Sequence, residues 1–396
     1  MNMTFSSRDR LLAALNCETP DHPPCSFMIF GALHQGSASY LDFIKRQLDL
    51  GLDAFVELPV RPPQVRNDHY NLHGLPVSYH PEVRVEESVT QYTDEPDPLM
   101  RKVYHTPAGD LTAEVRQTAD WRWGDHVPFL DDYLIPRSKK FIVDGPRDLA
   151  AFQYLLAPPS SAEVAAFQSE SAPYQDFARE QGLLVTGGWG VGADMVGWVH
   201  GLNTLVYDIY DHPAFIRDLL GMIAEWNRSR MRVVLEAGVD LYIKRAWYEN
   251  ADFFTPASWR KLILPELQKD AELAHQAGAK FGYIITARAM PLLDLIAEAG
   301  VDVLIGVDPE AFDLPQAKEK LEGRVCLWGG VNGHLTVEHG DAAAVAAEVR
   351  TALDVLGPDG FILSPVDNVR EDTPLAFENV KTLIRTWQEA TGQALD

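Results

Sequence analysis

The chain has 396 residues, 46% of them hydrophobic, enough for a large core in one big domain or two ordinary ones. Lys and Arg number 34 against 57 Asp and Glu, a formal net charge of −23 that repels a phosphate backbone; no basic run gathers locally, which argues against a nucleic-acid partner. The three cysteines, Cys17, Cys25 and Cys326, stand far apart and outside any CxxC or Cys/His cluster, so neither a disulfide framework nor a zinc finger is encoded.

In chain order, "MNMTFSSRDRLLAALN" lacks the apolar stretch and small-residue cleavage site of a signal peptide, and reads as an amphipathic helix capped by Ser6 or Ser7. No apolar run reaches the length that spans a bilayer, so a soluble, cytoplasmic protein is expected. Strands are predicted near 25–30 ("CSFMIF") and 53–58 ("DAFVEL"). Residues 60–145 then change character. "LPVSYHPEVRVEESVTQY" and "MRKVYHTPAGDLTAEVRQT" read as β-rich, the second as a hairpin turning at "PAGD", which makes this stretch a β-rich insertion after the second strand. Within it, "TADWRWGDHVPFLDDY" combines aromatic and charged residues; it is either a cover over the mouth of the fold or a solvated surface with ordinary apolar anchoring.

From about residue 180 onward, short apolar runs alternate with helical patterns. Strands are predicted at 182–187, 239–244, 279–285, 301–306, 324–329 and 359–364, and helices at 213–237, 256–277, 336–355 and 374–391. Pro256 after Thr255, Thr336, and Pro374 after Thr373 are helix-start signals, and Gly238 is a stop. Eight strands alternating with helices are most economically a single α/β domain over 1–396, a (β/α)8 TIM barrel. A doubly wound open sheet is the competitor, but no GxGxxG follows an early strand. "GGWGVG" at 187–192 has the wrong spacing and reads as a strand-to-helix turn.

In such barrels the reacting groups lie beyond the C-terminal ends of the strands. Those positions hold His34, Glu57, Arg61, Trp189, Lys244, Arg245, Thr286, Arg288, Asp308, Glu310, Asn332, His334, Asp367 and Asn368. Asp367, Glu57 and His34 are the candidate catalytic groups; Lys244, Arg245, Thr286, Arg288, Trp189, Asn332 and His334 are the candidate substrate contacts; no metal site is read. Lys244, Arg245 and Arg288 would form an anion-receptive arc, unless they pair internally with Glu249, Asp252, Asp308 or Glu310. A lone histidine such as His34 or His334 is more often structural than functional, and Asp367 after "SP" also suits a plain turn.

Several stretches, in order along nearly the whole chain, resemble the uroporphyrinogen decarboxylase superfamily, which includes the methylcobalamin:coenzyme M methyltransferases and related corrinoid-linked enzymes. They are "SSRDRLLAALNCETPDHPP", "YHTPAGDLT", "FFTPASWRKLILPELQKDAELAHQAGAK", "LLDLIAEAGVDVLIGVDP", "CLWGGVN" and "GFILSPVDNVREDTPLAFENV". The resemblance implies the same barrel. It also shows departures: "PPCSFMIFGALHQGSASYLDF" has no arginine where the decarboxylases carry an arginine-rich loop, and their catalytic aspartate has only Glu57 as a nearby carboxylate. Asp367 falls where those enzymes carry a histidine. The zinc-dependent methyltransferases place a His-x-Cys and a later Cys at positions that fall here on Ile284, Thr286 and Asp367, so no zinc is expected there.

The resemblance therefore leads to a methyltransferase-like enzyme acting on a small, anionic substrate. Cobalamin would arrive free or on a corrinoid partner protein, since no DxHxxG motif occurs in the chain. The alternatives are a decarboxylase of a smaller carboxylated substrate and a non-catalytic ligand-binding barrel. A monomer or homodimer, with no membrane partner, completes the expectation.

Overall fold

The computed structural model describes residues 5–58 and 72–393. Its centre is a parallel sheet of seven strands: β1 (Phe55–Leu58), β6 (Leu184–Gly190), β7 (Leu241–Arg245), β8 (Lys280–Ile284), β9 (Val303–Val307), β10 (Cys326–Asn332) and β11 (Phe361–Val366), hydrogen-bonded in that order. Side chains alternate between two faces, as strand geometry requires. Phe55, Leu184, Leu241, Ile243, Ile284, Ile305, Trp328 and Ile362 pack together in one apolar cluster; Val56, Tyr242, Phe281, Tyr283, Leu304, Leu327 and Phe361 belong to the larger cluster shared with the helices. Burial on both faces explains why these strands read as continuous apolar runs.

The sheet curls until its edges are joined through the segment at Cys25–Ile29, which bridges β11 in parallel at Cys25↔Leu363 and Ile29↔Asn368 and gives its Cys25 carbonyl to the Asp53 N–H at 2.8 Å. This arrangement is consistent with a TIM barrel. The strand expected at 25–30 is only these isolated bridges, because side chains take much of its ladder. Cys25 N–H goes to Asp53 Oδ2 at 3.2 Å, Met28 N–H to Ser364 Oγ at 3.4 Å and Gly31 N–H to Asn368 Oδ1 at 2.9 Å.

Between β1 and β6 in the chain lies a four-stranded antiparallel sheet, β2 (Arg84–Thr90), β3 (Leu99–Thr106), β4 (Gly109–Arg116) and β5 (Ser138–Lys140), in sequential order. The β3–β4 register pairs Thr106 with Gly109, so the hairpin turns at Pro107 and Ala108.

Two expected helices differ in detail. The stretch 256–277 is divided into Pro256–Leu262 and Leu264–Gln276, since Pro265 has no N–H with which to continue the first helix. The stretch 336–355 becomes a π-helix over Gly333–Glu338 and an α-helix over Ala342–Leu356, capped by Asn332 and Asp341; Thr336 instead donates to Glu348 at 2.7 Å. Helices Pro213–Glu236 and Pro374–Thr391 lie within a residue of expectation. Among the described residues no helix is long and apolar enough to cross a membrane.

Candidate active site

A cavity of about 500 Å³ opens beside the C-terminal ends of β1 and β6. Its walls are mainly apolar and rich in aromatic rings, with Phe27, Phe30, Phe43, Phe55, Trp189 and Trp247 prominent, and its polar groups include Glu57, His34, His73 and Arg245. Cavities of this size and character suit small organic ligands. A much smaller cavity next to it shares Met28, Ile29 and Trp247 with the first and is lined also by Thr286, Ser364 and Asp367.

Glu57 sits on β1, partly buried, with its own N–H donated to the Tyr40 hydroxyl at 2.8 Å. Desolvation among the aromatic rings raises its carboxyl above the ordinary value, and a hydrogen bond from Trp189 pulls the other way without cancelling it. The same desolvation lowers His34, whose ring lies 4.8 Å from that of Phe43. Both shifts favour neutral groups. His73 lies 2.6 Å from the Tyr242 hydroxyl, and burial lowers its pKa well below the imidazole norm.

Strand β6 ends on glycines because another strand approaches too closely for a side chain. A Cβ at Gly188, whose φ is 130°, would lie 2.4 Å from the Ile243 carbonyl, and one at Gly190 would lie 2.2 Å from the Tyr242 hydroxyl, both on β7. Of "GGWGVG", expected as a strand-to-helix turn, the first four residues belong to β6, and only Val191 and Gly192 turn into the helix Ala193–Val199. Trp189 inside β6 has φ 59°, and Arg288 and Asp367, beyond the ends of β8 and β11, have φ 43° and 68°. Left-handed backbone at a bulky residue is an outlier of the kind that collects at functional sites.

Lys244, Arg245 and Arg288 are not brought together as an arc. Consecutive residues of a strand face opposite ways, so Lys244 and Arg245 cannot share the mouth. Lys244 turns to Asp270 of the helix Leu264–Gln276, with Nζ 2.8 Å from Oδ2, both side chains buried. Burial alone would lower Lys244, but Asp270 and then Glu249 outweigh it and raise its pKa. Arg245 lines the cavity, yet its Nε is 2.6 Å from buried Asp194 and its Nη2 is 3.2 Å from Asp132, while its guanidinium lies 4.0 Å from the Trp247 ring. Arg288 is exposed, 3.2 Å from Asp252. Asp132 also accepts from the Trp198 indole at 2.8 Å, so part of "TADWRWGDHVPFLDDY" is fastened to the helix Ala193–Val199 beside this cavity.

The other expected residues divide in the same way. Thr286 and Asp367 meet in the small cavity. Asp367 is exposed at residue level, but desolvation of its carboxyl, opposed by Arg370 and reinforced by Glu338 and Asp308, raises its pKa. Asn332 has a structural task, donating to Asp308 at 3.0 Å and capping the turn through Leu335 N–H at 2.6 Å. His334 lies outside both cavities, 3.0 Å from Glu338. Asn368 ties Gly31 to the end of β11. Arg61 lies outside the described residues.

Several residues of the site carried no sequence signal of their own. Trp247 and Tyr40 look like ordinary core aromatics, and Asp194 and Asp132 acquire their roles only through Arg245, from 51 and 113 residues away.

The small cavity also answers a question of metal chemistry. It brings together Ile284, Thr286 and Asp367, the positions on which the resemblance noted above would put the zinc ligands of the methyltransferases. One carboxylate, one neutral hydroxyl and a hydrocarbon do not fit a thiolate-type zinc site.

No curated protein matches the sequence. A solved methyltransferase from Methanosarcina mazei aligns over 98% of this chain and 99% of its own, at 19% identity and a TM-score of 0.61. A B12-independent methionine synthase from Shewanella sp. W3-18-1 aligns over 56% of this chain and 65% of its own, at 13% identity and a TM-score of 0.39. The first likeness shows a shared fold along the full chain. The family described as Uroporphyrinogen decarboxylase (URO-D) matches residues 183–390, which takes in the strands from β6 to β11, and the chain belongs to that family.

Proposed function

We propose that this chain is an enzyme of methyltransferase type, a single (β/α)8 barrel over 1–396 with a β-rich insertion at 60–145, acting on a small molecule held in the Glu57 cavity. The observation that carries the reading is an aromatic cavity of about 500 Å³ with a desolvated carboxyl at its wall. Among the described residues, the cation on that wall already answers Asp194 and Asp132, so the cavity favours an apolar or aromatic body over the polyanion of a porphyrinogen. Methyl transfer is also the activity named for the full-length structural neighbour from Methanosarcina mazei.

Glu57 is the general acid in this reading. As a methyl group leaves its heteroatom, that atom gains negative charge, and neutral Glu57 supplies the proton. Trp189 and Tyr40 hold Glu57 in place through its side chain and backbone. His34 lines the same wall, and Arg245 fixes the orientation of Trp247 by stacking. Asp367 and Thr286 form the polar side, where a base or a second hydrogen bond to the substrate is available. A corrinoid, brought by a partner protein, would supply the methyl-accepting cobalt.

A second reading rests on the same carboxyl. A neutral acid in an apolar pocket can protonate the carbanion left by loss of CO2, which would make the chain a decarboxylase of a small carboxylated substrate.

The test uses the purified full chain with reduced cobalamin and a panel of methylated phenols, amines and thiols, following methylcobalamin by its absorbance. Methyl transfer that falls in Glu57→Gln supports the first reading. CO2 release from carboxylated pyrroles or arenes without methyl transfer replaces it with the second, and ligand binding with neither reaction leaves a binding barrel.

A further inference from the structure

We propose that His334, Glu338 and His339 form a binding site for one divalent first-row transition ion of the zinc class, at the barrel rim and apart from the Glu57 cavity. Strand β10 ends at Asn332, and the chain continues as a π-helix over Gly333–Glu338, a rare winding that recurs at functional sites. The widened turn sets three donors side by side. One ligand atom from each of His334, Glu338 and His339 lies within 4.8 Å of the other two, and the two imidazole centroids are 4.5 Å apart.

Two of the three donors are oriented by a group behind them. Glu338 is a buried carboxylate; its Oε1 accepts the backbone N–H groups of Arg370 and Glu371, the latter at 3.0 Å, which turns Oε2 towards His334. His339 Nδ1 faces the His334 carbonyl at 2.9 Å and is assigned as the donor there, leaving Nε2 with its lone pair. This is the support that metal-bound histidines and carboxylates characteristically have. Glu371 Oε1 lies 3.3 Å from that Nε2.

The spacing fits an ion as well as a proton. His334 Nδ1 and Glu338 Oε2 are 3.0 Å apart, and two ligands at about 2.1 Å from one ion, at angles between octahedral and tetrahedral, lie roughly 3.0–3.4 Å apart. Closing His339 onto the same ion requires only a side-chain adjustment within the 4.8 Å limit. Two imidazoles and one carboxylate select zinc, cobalt or nickel over magnesium or calcium, which prefer oxygen alone. Both histidine side chains are about half exposed, at 57% and 48%, so an ion can enter and keep water in its remaining positions.

The competing explanation is a hydrogen-bonded staple between the π-turn and the loop after β11. The test is a titration of the chelator-treated full chain with zinc, in competition with a chromogenic chelator, beside His334→Ala, His339→Ala and Glu338→Gln. The expected result is one zinc per wild-type chain, with affinity lowered about tenfold or more in each histidine variant whose circular dichroism is unchanged. Cobalt in place of zinc should give visible ligand-field bands in the wild type that are lost in those variants. No stoichiometric zinc in the wild type, or one zinc held with unchanged affinity in both histidine variants, overturns the site. Because the readout is binding, the result is independent of any methyl-transfer assay.

Discussion

Removal of Asp270 tests whether Lys244 belongs to the fold or to the substrate. Lys244 Nζ is 2.8 Å from Asp270 Oδ2, and Asp270 Oδ1 also accepts from Arg228 at 3.0 Å, so one buried carboxylate answers two cations. At that separation and an effective dielectric constant of about 20, the Lys244 attraction is about 6 kcal/mol, most of it offset by the desolvation of both ions. Asp270→Ala leaves Lys244 buried with its main partner gone and should lower the unfolding free energy by about 3–5 kcal/mol. Lys244→Met leaves Asp270 with Arg228 and should cost less, and the double variant should cost less than the sum of the two single changes. Urea unfolding followed by circular dichroism measures all three, and methyl-transfer activity of the folded Lys244→Met protein should stay within about twofold of wild type. The reasoning is refuted if Asp270→Ala costs under about 1 kcal/mol, or if folded Lys244→Met loses substrate binding, which would place that ammonium at the substrate after all.

Glu57→Gln should reduce kcat by about 10²–10⁴ with little change in KM, the scale of a lost general acid. Because the folded-state pKa of Glu57 is raised, its contribution to stability is fully present below the ordinary carboxyl value and is lost as pH rises through the raised value. The variant should therefore gain thermal stability relative to wild type as pH rises towards neutral, and parallel Tm-against-pH curves would disprove the desolvation of this group. Gly188→Ala forces a Cβ to within 2.4 Å of the Ile243 carbonyl at φ 130° and should cost at least about 1–3 kcal/mol in denaturant unfolding; an unaltered midpoint would mean that β6 and β7 can separate without penalty. Asp132→Ala removes a carboxylate that is 40% exposed, so its effect on global stability should stay within about 1 kcal/mol. Amide exchange over residues 118–137 should nevertheless accelerate, and unchanged exchange there would show that Arg245 and Trp198 do not fasten this segment.

The parallel strands were legible because burial on both faces demands uninterrupted apolar runs, and "VDVLIG" or "RVCLWG" can hardly be anything else. Helix ends were legible where a cap or proline acts locally, as at Pro213 and Pro374, and blurred where two caps compete, as around Asn332, Thr336 and Asp341. Charge pairing was legible only in part: Asp252 stood among the expected internal partners and does meet Arg288, whereas Asp270, Asp194 and Asp132 did not stand among them. "IKRA" looks like a cluster of positive charge at a strand end, but the alternation of the strand sends Lys244 outward to Asp270 and Arg245 inward to Asp194, and both partners are far away in sequence. The cavity was half legible: Glu57, His34 and Trp189 follow from the rule that strand ends face the mouth, whereas the aromatic wall depends on how "CSFMIFGALHQ" folds across the sheet edge.

That wall bears on which reaction the barrel can run. Glu57 and Asp367 are both carboxyls raised by desolvation, but they occupy different ground: Glu57 in a large cavity ringed by aromatic side chains, Asp367 at an exposed rim where Arg370 restrains the shift. Burial favours the protonated form of both carboxyls, at Glu57 inside the space that fits a small molecule and at Asp367 on the neighbouring polar side. In the proposed methyl transfer Glu57, inside the large cavity, supplies the proton that an expelled heteroatom needs, and Asp367 acts from the small cavity beside it. Asp367→Asn should then change the pH profile of turnover without abolishing it, whereas the loss with Glu57→Gln should persist at every pH; equal losses at all pH values for both would remove this division of labour.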